Sequence, residues 1–333
     1  MSTMDKKVRH VTDHPGGQLR LRESLAQVYD ATRIRELRKQ IPEGVTIGAP
    51  QEFLGVDGRV LDGLLAHKLK PTDVVPMPLP RWNLLCGDEG EKQGLARGWV
   101  TIVGGATGQG KSLVLANAIA SALRAGKTAV LVSLEMGLPL TLTRILAIVS
   151  GVPVWKLEKG RAFCIESYRK AAACLLSLPG TLIVNKAPVS DLGLLTQTME
   201  VMVHHAGADL FVWDYLQLVR APSETRLAYE VSKVSLAIRE STVRLNTRSL
   251  AASQLNRETS KNRDEPPQVT GLIGSSQLEN DATMILLLNH SNYRRHQGNM
   301  KADTELLVAK NRVGPCEGIP IQWDYQTLRM SER

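Results

Sequence analysis

The amino-acid sequence predicts an α/β fold in which a central, mostly parallel β-sheet is flanked by helices, preceded by a small N-terminal helical and linker segment. Three features support this prediction. A glycine-rich loop stands between an apolar strand and an apolar helix, strands and helices alternate after it, and a proline-rich stretch separates this pattern from the start of the chain. Such an alternation is typical of a parallel sheet with helices on both faces.

The composition is that of a soluble globular protein. Hydrophobic residues make up 43% and charged residues 22% of the 333 residues, and no apolar run approaches the ~20 residues that cross a bilayer. The charged N-terminus lacks the apolar core of a signal peptide. The four cysteines are scattered without a C-x-x-C pair, so neither a zinc site nor a disulfide framework is indicated. We expect a cytoplasmic protein, bacterial or encoded by a phage or plasmid in a bacterial host.

The charge balance suits a polyanionic partner. The formal net charge is +8, which fits nucleic acid, although many basic proteins bind none. Aromatic residues make up only 4% of the chain. Contacts with phosphates are therefore a more natural mode of binding than a wall of stacked bases.

Residues 1–80 are predicted to form a segment apart from the large domain at 81–333. Within it, 19–41 can form a basic amphipathic helix. Such a helix docks on a neighbouring subunit or packs on its own domain, and the sequence favours neither. Residues 71–80 contain four prolines and predict an extended linker. We place the domain boundary there.

The large domain is predicted to alternate strands and helices. Strands are expected at 99–103, 128–134, 181–185, 209–213, 248–252, 283–288, 304–309 and 318–323. Helices are expected at 111–124, 138–150, 161–177, 191–206 and 227–246. Because the last strands follow one another without long helices, we expect the sheet to end in an antiparallel hairpin.

The glycine-rich loop at 105–112 fits G-x-x-x-x-G-K-[ST] at every fixed position, between a strand and a helix. In such a P-loop, backbone N–H groups and the helix N-terminus surround phosphates. Lys111 would reach the β- and γ-phosphates, and the Ser112 hydroxyl would bind Mg²⁺. We therefore predict binding of ATP, or another nucleoside triphosphate, with Mg²⁺. The binding residues would be Gly105, Ala106, Thr107, Gly108, Gln109, Gly110, Lys111, Ser112 and Leu113.

Three other predicted strands lead to polar residues that suit hydrolysis, namely Glu135, Asp214 and Gln254. The carboxyl ends of parallel strands open on the nucleotide crevice. There, Glu135 can polarise the attacking water, Asp214 can hold Mg²⁺, and Gln254 can sense the γ-phosphate. Each residue could instead be an ordinary polar strand end, and Glu135 could simply favour the dipole of the next helix.

Together these pieces resemble the ATPase domain of DnaB-type replicative helicases, which has a RecA-like fold. The resemblance covers roughly residues 81–330 in a compact form that lacks the family's usual large N-terminal domain. It rests on strings in the family's order: Ser133-Leu134-Glu135-Met136, Gly151-Val152-Pro153, Lys156-Leu157 with Gly160, Asp214-Tyr215-Leu216-Gln217-Leu218, Glu230-Val231-Ser232, Ser253-Gln254-Leu255-Asn256-Arg257, Leu278-Glu279-Asn280-Asp281-Ala282 and Ala309-Lys310-Asn311-Arg312-Val313-Gly314-Pro315.

The resemblance assigns roles to individual residues. It implies that Glu135 is the general base, that Asp214 and Ser112 hold Mg²⁺, and that Gln254 senses the γ-phosphate. Lys310 and Arg312 match the family's K-x-R pair, which reaches the nucleotide site of the adjacent subunit. Without the resemblance, they would be ordinary solvated charges. It also implies a homo-oligomer, usually a hexameric ring, around single-stranded DNA, with a primase or helicase loader as candidate partners.

The resemblance further implies two DNA-binding loops that face the ring channel. Their candidate residues are Arg220 and Arg226 in the first loop, and Arg257, Lys261, Arg263 and Gly274 in the second. Ordinary surface loops are often charged as well. The family's D-L-R-E-S-G segment is altered here at 271–276, where Ile273 and Gly274 replace the arginine and glutamate. Any contact at this point would use backbone amides or other side chains.

The sequence thus predicts an ATP-dependent, ring-forming replicative DNA helicase that translocates on single-stranded DNA and unwinds duplex. One alternative keeps the fold: a RecA-fold ATPase that binds DNA or partner proteins, as a recombination mediator or loader does, without unwinding. The altered second loop favours that alternative. A metabolic P-loop kinase would need an acceptor pocket and a lid, for which the sequence holds no signal.

Overall fold

The structure is a computed structural model that describes residues 73–87, 93–134, 137–158, 163–185, 191–220, 227–256, 265–291 and 303–333. The predicted amphipathic helix at 19–41 lies outside these ranges. Glu135 and much of both predicted DNA loops also lie outside them.

The described ranges form the following strands and helices. The strands are β1 Val100–Gly105, β2 Thr128–Ser133, β3 Thr181–Asn185, β4 Leu210–Asp214, β5 Ser249–Gln254, β6 Met284–Ser291, β7 Asp303–Asn311, β8 Gly318–Asp324 and β9 Arg329–Glu332. The helices are α1 Pro80–Leu85, α2 Lys111–Arg124, α3 Leu138–Ser150, α4 Ile165–Leu176, α5 Leu192–Ala206, α6 Leu227–Arg244 and α7 Ser275–Asp281. Short 3₁₀ turns occur at Val154–Lys156, Leu216–Leu218 and Val269–Gly271.

The strands form one nine-stranded sheet in the order β3-β2-β4-β5-β1-β6-β7-β8-β9. Strands β1 to β6 pair in parallel, whereas β7, β8 and β9 are added by antiparallel pairing. The predicted mostly parallel sheet with an antiparallel end is therefore confirmed. Every predicted strand and helix of the large domain is present, with its ends shifted by a few residues at most.

Three short elements were not predicted: α1, α7 and β9. Helix α1 has six residues and α7 has seven, so neither is long enough to show a helical repeat of apolar residues. Strand β9 has four residues and forms by pairing with β8. Tertiary contacts, rather than a local pattern, account for all three.

The sheet buries both of its faces. Along β4, Leu210 and Val212 belong to one apolar cluster, which includes buried residues of α2 and α3. Phe211 and Trp213 belong to the other cluster, with buried residues of α5 and α6. Since successive strand residues point to opposite faces, a continuous apolar run is what a sheet with helices on both sides requires.

The core also includes part of the segment that its prolines predict to be a linker. Val75 pairs with Leu95 in an isolated antiparallel bridge, and Val75, Met77 and Leu79 are almost fully buried. Trp82 of α1 is fully buried beside them. The packed core therefore already includes Val75, ahead of the boundary placed at residue 81.

A network of charged side chains around Asp73 binds the segment that includes Val75 to the amino edge of the parallel strands. Arg248, which is fully buried, donates from Nε to the Leu95 carbonyl at 2.7 Å and pairs with Asp73. Burial by itself raises the pKa of Asp73, but Lys127, Arg248 and Arg97 outweigh it and lower the pKa to about 2. The ionised carboxylate thus joins the segment to the first residues of several strands.

Candidate nucleotide site

The carboxyl edge of the parallel strands gathers the predicted site residues. Gly105 at the end of β1 lies in register with Gln254 at the end of β5. Asp214, at the end of β4, lies in register with Ser133 of β2. This common edge is where open α/β sheets bind their ligands.

The P-loop (residues 105–112) takes its shape from two glycines with left-handed backbone conformations. Gly108 has φ +80° and Gly110 has φ +97°, values that residues with a Cβ rarely adopt. Gly110 caps α2, and its carbonyl accepts hydrogen bonds from the Leu113 and Val114 amides. The loop therefore delivers the chain directly to the N-terminus of a helix, where backbone N–H groups can bind an anion.

The Lys111 amine lies within the loop. Its Nζ donates to the carbonyls of Gly105 and Ala106, both at 2.9 Å. The Ala106 amide donates to the side-chain oxygen of Gln109 at 2.6 Å, which closes the loop from the other side. A flexible lysine held by two carbonyls can exchange them for the oxygens of a phosphate at small cost, because each is a single hydrogen bond.

Ser112 and Asp214 meet at the first turn of α2. The Ser112 hydroxyl donates to Oδ1 of Asp214 at 3.1 Å, and Asp214 is only 4% exposed. A hydroxyl and a carboxylate are hard oxygen ligands of the kind that Mg²⁺ binds together with substrate phosphates. The pair therefore fits the predicted role of holding Mg²⁺.

Gln254 is connected to the P-loop. Its Nε2 donates to the Thr107 hydroxyl at 2.7 Å, and its backbone amide donates to Oε1 of Gln217 at 3.3 Å. Gln217 is buried and donates to the Ser253 hydroxyl at 2.8 Å. Gln217 belongs to the 3₁₀ turn just after Asp214. The candidate sensor is thus joined both to the loop that would bind phosphate and to the segment that follows the candidate metal ligand.

A cleft of about 340 Å³ is lined by residues of the P-loop, including Lys111 and Ser112, and by Gln254. Its lining includes two residues that were not among the predicted site residues, Arg144 of α3 and Tyr215. Tyr215 directly follows Asp214, so its position could have been expected from the strand end. Arg144 lies in the middle of an amphipathic helix, where no local pattern separates an arginine that faces a cleft from one that faces solvent.

His290 also supports the P-loop and was not predicted. It lies near the carboxyl end of β6, and its Nε2 donates to the Gln109 carbonyl at 2.9 Å. Its Nδ1 is hydrogen-bonded to the hydroxyl of Thr304 on β7 at 3.1 Å. Burial lowers the pKa of His290 despite the hydrogen bond to Gln109, which favours the neutral form of the ring. In that form, one N–H serves the Gln109 carbonyl and one lone pair serves the Thr304 hydroxyl.

Lys310 and Arg312 lie at the opposite edge of the sheet from the P-loop. Because β7 runs antiparallel to β6, Lys310 pairs with Ile285 near the start of β6, whereas His290 pairs with Thr304 near its end. The intervening stretch of strand is about 17 Å long at ~3.3 Å per residue. The structure therefore does not bring Lys310 or Arg312 to the P-loop of their own chain.

Of the predicted DNA-binding residues, only Arg220 and Gly274 fall within the described ranges. Arg220 donates to the carboxylate of Glu230 at 3.0 Å, and its side chain is 62% exposed. Gly274 has φ +77° and caps α7, and a Cβ there would lie 2.9 Å from a methyl of Val231. This glycine is therefore a backbone requirement of the altered loop. Arg226, Arg257, Lys261 and Arg263 lie outside the described ranges, as does Glu135.

Within the part of the chain that the structure describes, no group of three or more His, Cys, Asp or Glu side chains could hold a metal ion. In the same ranges, none of the helices combines the length and the apolar character that a membrane crossing needs.

Comparison with known proteins places this arrangement in a family. A family model described as "DnaB-like helicase C terminal domain" matches residues 89–332. Among curated relatives, the replicative DNA helicase DnaB of Leifsonia xyli subsp. xyli is 26% identical over 311 residues, which cover 92% of this chain and 65% of the relative. The chain spans about half to two thirds of the length of the curated relatives it matches.

Solved structures show the same fold. One of them, described as an ATPase domain, superposes with a TM-score of 0.71 at 19% identity, and the match covers 86% of this chain and 99% of that one. A DnaB-like replicative helicase, whose structure was described with its interactions with primase, also has a TM-score of 0.71, at 18% identity, covering 92% of this chain and 76% of that one. The predicted RecA-like fold is therefore confirmed.

Proposed function

Because this chain belongs to the family of DnaB-like helicase C-terminal domains, we propose that it is the ATP-driven motor of a replicative DNA helicase. In this proposal, copies of the chain form a ring, usually a hexamer. The ring translocates on single-stranded DNA and separates the duplex ahead.

One observation carries the proposal: the groups that we assign to ATP hydrolysis are divided between two opposite edges of the sheet. Lys111, Ser112 and Asp214 meet at the carboxyl edge, whereas Lys310 and Arg312 lie at the amino edge. Phosphoryl transfer needs positive charge beside the departing phosphate. A second copy that presents its amino edge to this cleft would supply that charge, which supports a site shared between adjacent copies.

The residues of each copy would divide the work as follows. The P-loop amides and Lys111 bind and orient the phosphates, and Gln254 contacts the γ-phosphate and detects its loss. Glu135 would take the proton of the attacking water. Mg²⁺, held by Ser112 and Asp214, would neutralise charge on the phosphate oxygens. Arg312 and Lys310 of the adjacent copy would stabilise the charge that develops as the terminal phosphate departs.

DNA would be held through its phosphates. Basic residues at Arg220, Arg226, Arg257, Lys261 and Arg263 would contact the backbone without reading bases, with Gly274 contributing its amide. Binding should then weaken steeply as salt concentration rises. By analogy with the DnaB-like helicase described with primase, a primase is a candidate partner, and a helicase loader is another.

The test is strand separation on a forked duplex with ATP and Mg²⁺. Lys111→Ala should abolish ATP turnover and unwinding, because it removes the charge that contacts the transferred phosphate. Lys127→Ala is the matched control: it removes a lysine that pairs with Asp73 at the amino edge of the parallel strands. Unwinding that survives Lys111→Ala would overturn the motor assignment, as would a wild-type protein that hydrolyses ATP without any response to single-stranded DNA.

A second candidate function keeps the ATPase but omits unwinding. It is favoured by the altered loop, where Gly274 stands in place of the glutamate of the family pattern. Gly274 caps α7 and lies close to the side chain of Val231. A RecA-fold ATPase of this kind would bind DNA or a partner protein and turn over ATP, as a recombination mediator or loader does. The same forked-duplex assay separates the two: DNA-stimulated ATP turnover with no strand separation, across fork designs of both polarities, supports the second candidate.

A further inference from the structure

Helix α7 ends against the two cations that the proposed function places at a neighbouring site. The last carbonyls of any helix lack partners within the helix. Here Lys310 Nζ donates to the carbonyl of Glu279, and Arg312 Nη2 donates to that of Asn280 at 2.5 Å. Cations are favoured at this end because the helix dipole is negative there. The end of α7 is therefore a seat for both side chains.

Lys310 and Arg312 remain accessible to solvent although both donate hydrogen bonds to the end of α7. Arg312 is exposed, and Lys310 is half-buried. Burial and repulsion from Arg312 lower the pKa of Lys310, while the Glu279 and Asp281 carboxylates act in the opposite direction. The backbone amide of Arg312 also donates to the Thr283 carbonyl at 3.0 Å. Both charges thus stand at the surface with their positions fixed by contacts within their own chain.

Asp281, the last residue of α7, links this end of the helix to α6. Its Oδ2 accepts from the hydroxyl of Ser235 on α6 at 2.7 Å, and both of its oxygens accept from Gln277 one turn earlier in α7 at 3.0 Å. Asp281 is 5% exposed and Ser235 is 3% exposed. A helix of seven residues is too short to hold its shape without tertiary contacts, so these bonds and the packing of the fully buried Leu278 together determine where its terminal carbonyls lie.

We propose that Asp281 is a positioning residue for hydrolysis at the nucleotide site of an adjacent copy. By holding α7 on α6, Asp281 fixes the two carbonyls that hold Lys310 and Arg312 in place. This inference rests on the proposed function, because it assumes that the pair acts on a neighbouring site. It assigns a positioning role to a residue that does not line the nucleotide cleft.

Helix α7 is also capped at its N-terminus by Gly274, the last of the candidate residues in the second DNA loop. The rise of seven helical residues is about 10 Å at ~1.5 Å per residue. A displacement of that loop by DNA would therefore reach the seat through one short helix. We therefore expect the effect of Asp281 to be largest on the turnover that single-stranded DNA stimulates.

The test compares three variants with a control. Asp281→Ala and Ser235→Ala remove the anchor, whereas Asp281→Asn keeps an oxygen that can accept from Ser235. Thr242→Val is the control, since it removes another buried hydroxyl of α6, one that bonds to Ile238 and Ser249 away from α7. Each protein is measured for ATP binding, for DNA-stimulated turnover, and for turnover after mixing with Lys111→Ala protein, which has an intact Lys310/Arg312 pair.

We expect Asp281→Ala to lower DNA-stimulated turnover about tenfold while its own affinity for ATP changes by less than about twofold. Mixing with Lys111→Ala protein should restore part of the turnover, because a neighbour then supplies correctly held cations. Ser235→Ala should behave in the same way with a smaller loss, Asp281→Asn should keep most activity, and Thr242→Val should match the wild type. Ser235→Ala carries the test if Asp281→Ala does not fold.

Two results would overturn the inference. One is that the two anchor variants, Asp281→Ala and Ser235→Ala, turn over ATP as fast as Thr242→Val. The other is anchor variants that gain nothing on mixing, although Arg312→Ala protein does gain in the same assay. If Arg312→Ala also gains nothing, the shared site itself is wrong, and the failure belongs to the proposed function.

Discussion

Replacing Gly110 with alanine tests whether the P-loop backbone itself binds the phosphates. Gly110 has φ +97°, and a Cβ built there would lie 3.5 Å from Trp323, an ordinary contact distance. The cost is therefore conformational rather than steric, about 1–2 kcal/mol for a left-handed residue with a Cβ. The loop can relieve this strain by rotating the peptides that should face the phosphates.

The control for Gly110→Ala is Gly207→Ala. Gly207 has φ +61°, caps α5 and has nothing within 4 Å of a built Cβ, so it carries similar strain away from the site. Both variants should lose about 1–2 kcal/mol of unfolding free energy. Gly110→Ala should also bind ATP about tenfold more weakly, because the loop relieves its strain by turning peptides away from the phosphates, and 1.4 kcal/mol corresponds to a factor of ten. Urea unfolding and titration with a fluorescent ATP analogue measure the two effects. Equal ATP affinity in the two variants would refute the role given to this backbone.

Three further predictions concern single side chains. Asp214→Asn should leave the fold intact but lower ATP turnover at least about tenfold and raise the Mg²⁺ concentration needed, because a neutral amide is a poor Mg²⁺ ligand; an unchanged Mg²⁺ titration would contradict this. His290→Ala should weaken ATP binding several-fold by releasing the Gln109 carbonyl, whereas His290→Gln, which can still donate there, should keep more affinity; equal affinities would refute the hydrogen-bonding role. The pKa of Asp73 is lowered to about 2. The Asp73 carboxylate therefore stabilises the folded state fully above its unfolded pKa near 4, and this stabilisation is lost as the pH falls from there through about 2. Asp73→Asn should therefore flatten the decline of the urea midpoint between pH 4 and 2, and an unchanged slope would argue against the network.

The sequence predicted the parallel part of the fold well because its strands are buried apolar runs, several of which lead to candidate site residues. Val100–Gly105 leads into the P-loop, and Leu210–Asp214 ends in the candidate metal ligand. Strand and site are then specified by the same few residues, so local reading suffices.

Reading by local pattern failed where structure depends on distant contacts. The prolines of 71–80 suggested a linker, but Val75 and Leu79 are buried in the core, where the segment pairs with Leu95. His290 supports the P-loop from a strand far along the chain, and a single histidine in an apolar strand gives no sign of that role. Asp281 lies in one of the strings that carry the family resemblance, but the sequence assigns it no role, and its contact with Ser235 is what indicates one.

The most direct test of the shared nucleotide site is ATP turnover in mixtures of Arg312→Ala and Lys111→Ala proteins, with single-stranded DNA present. Each protein alone should be nearly inactive, because Arg312→Ala lacks the cation that we assign to the neighbouring site and Lys111→Ala lacks the P-loop lysine. The account predicts that turnover rises to a maximum at intermediate mixing ratios, where an intact P-loop meets an intact Arg312 across an interface. Turnover that stays at the weighted average of the two proteins, at every ratio and with oligomers present, would contradict it.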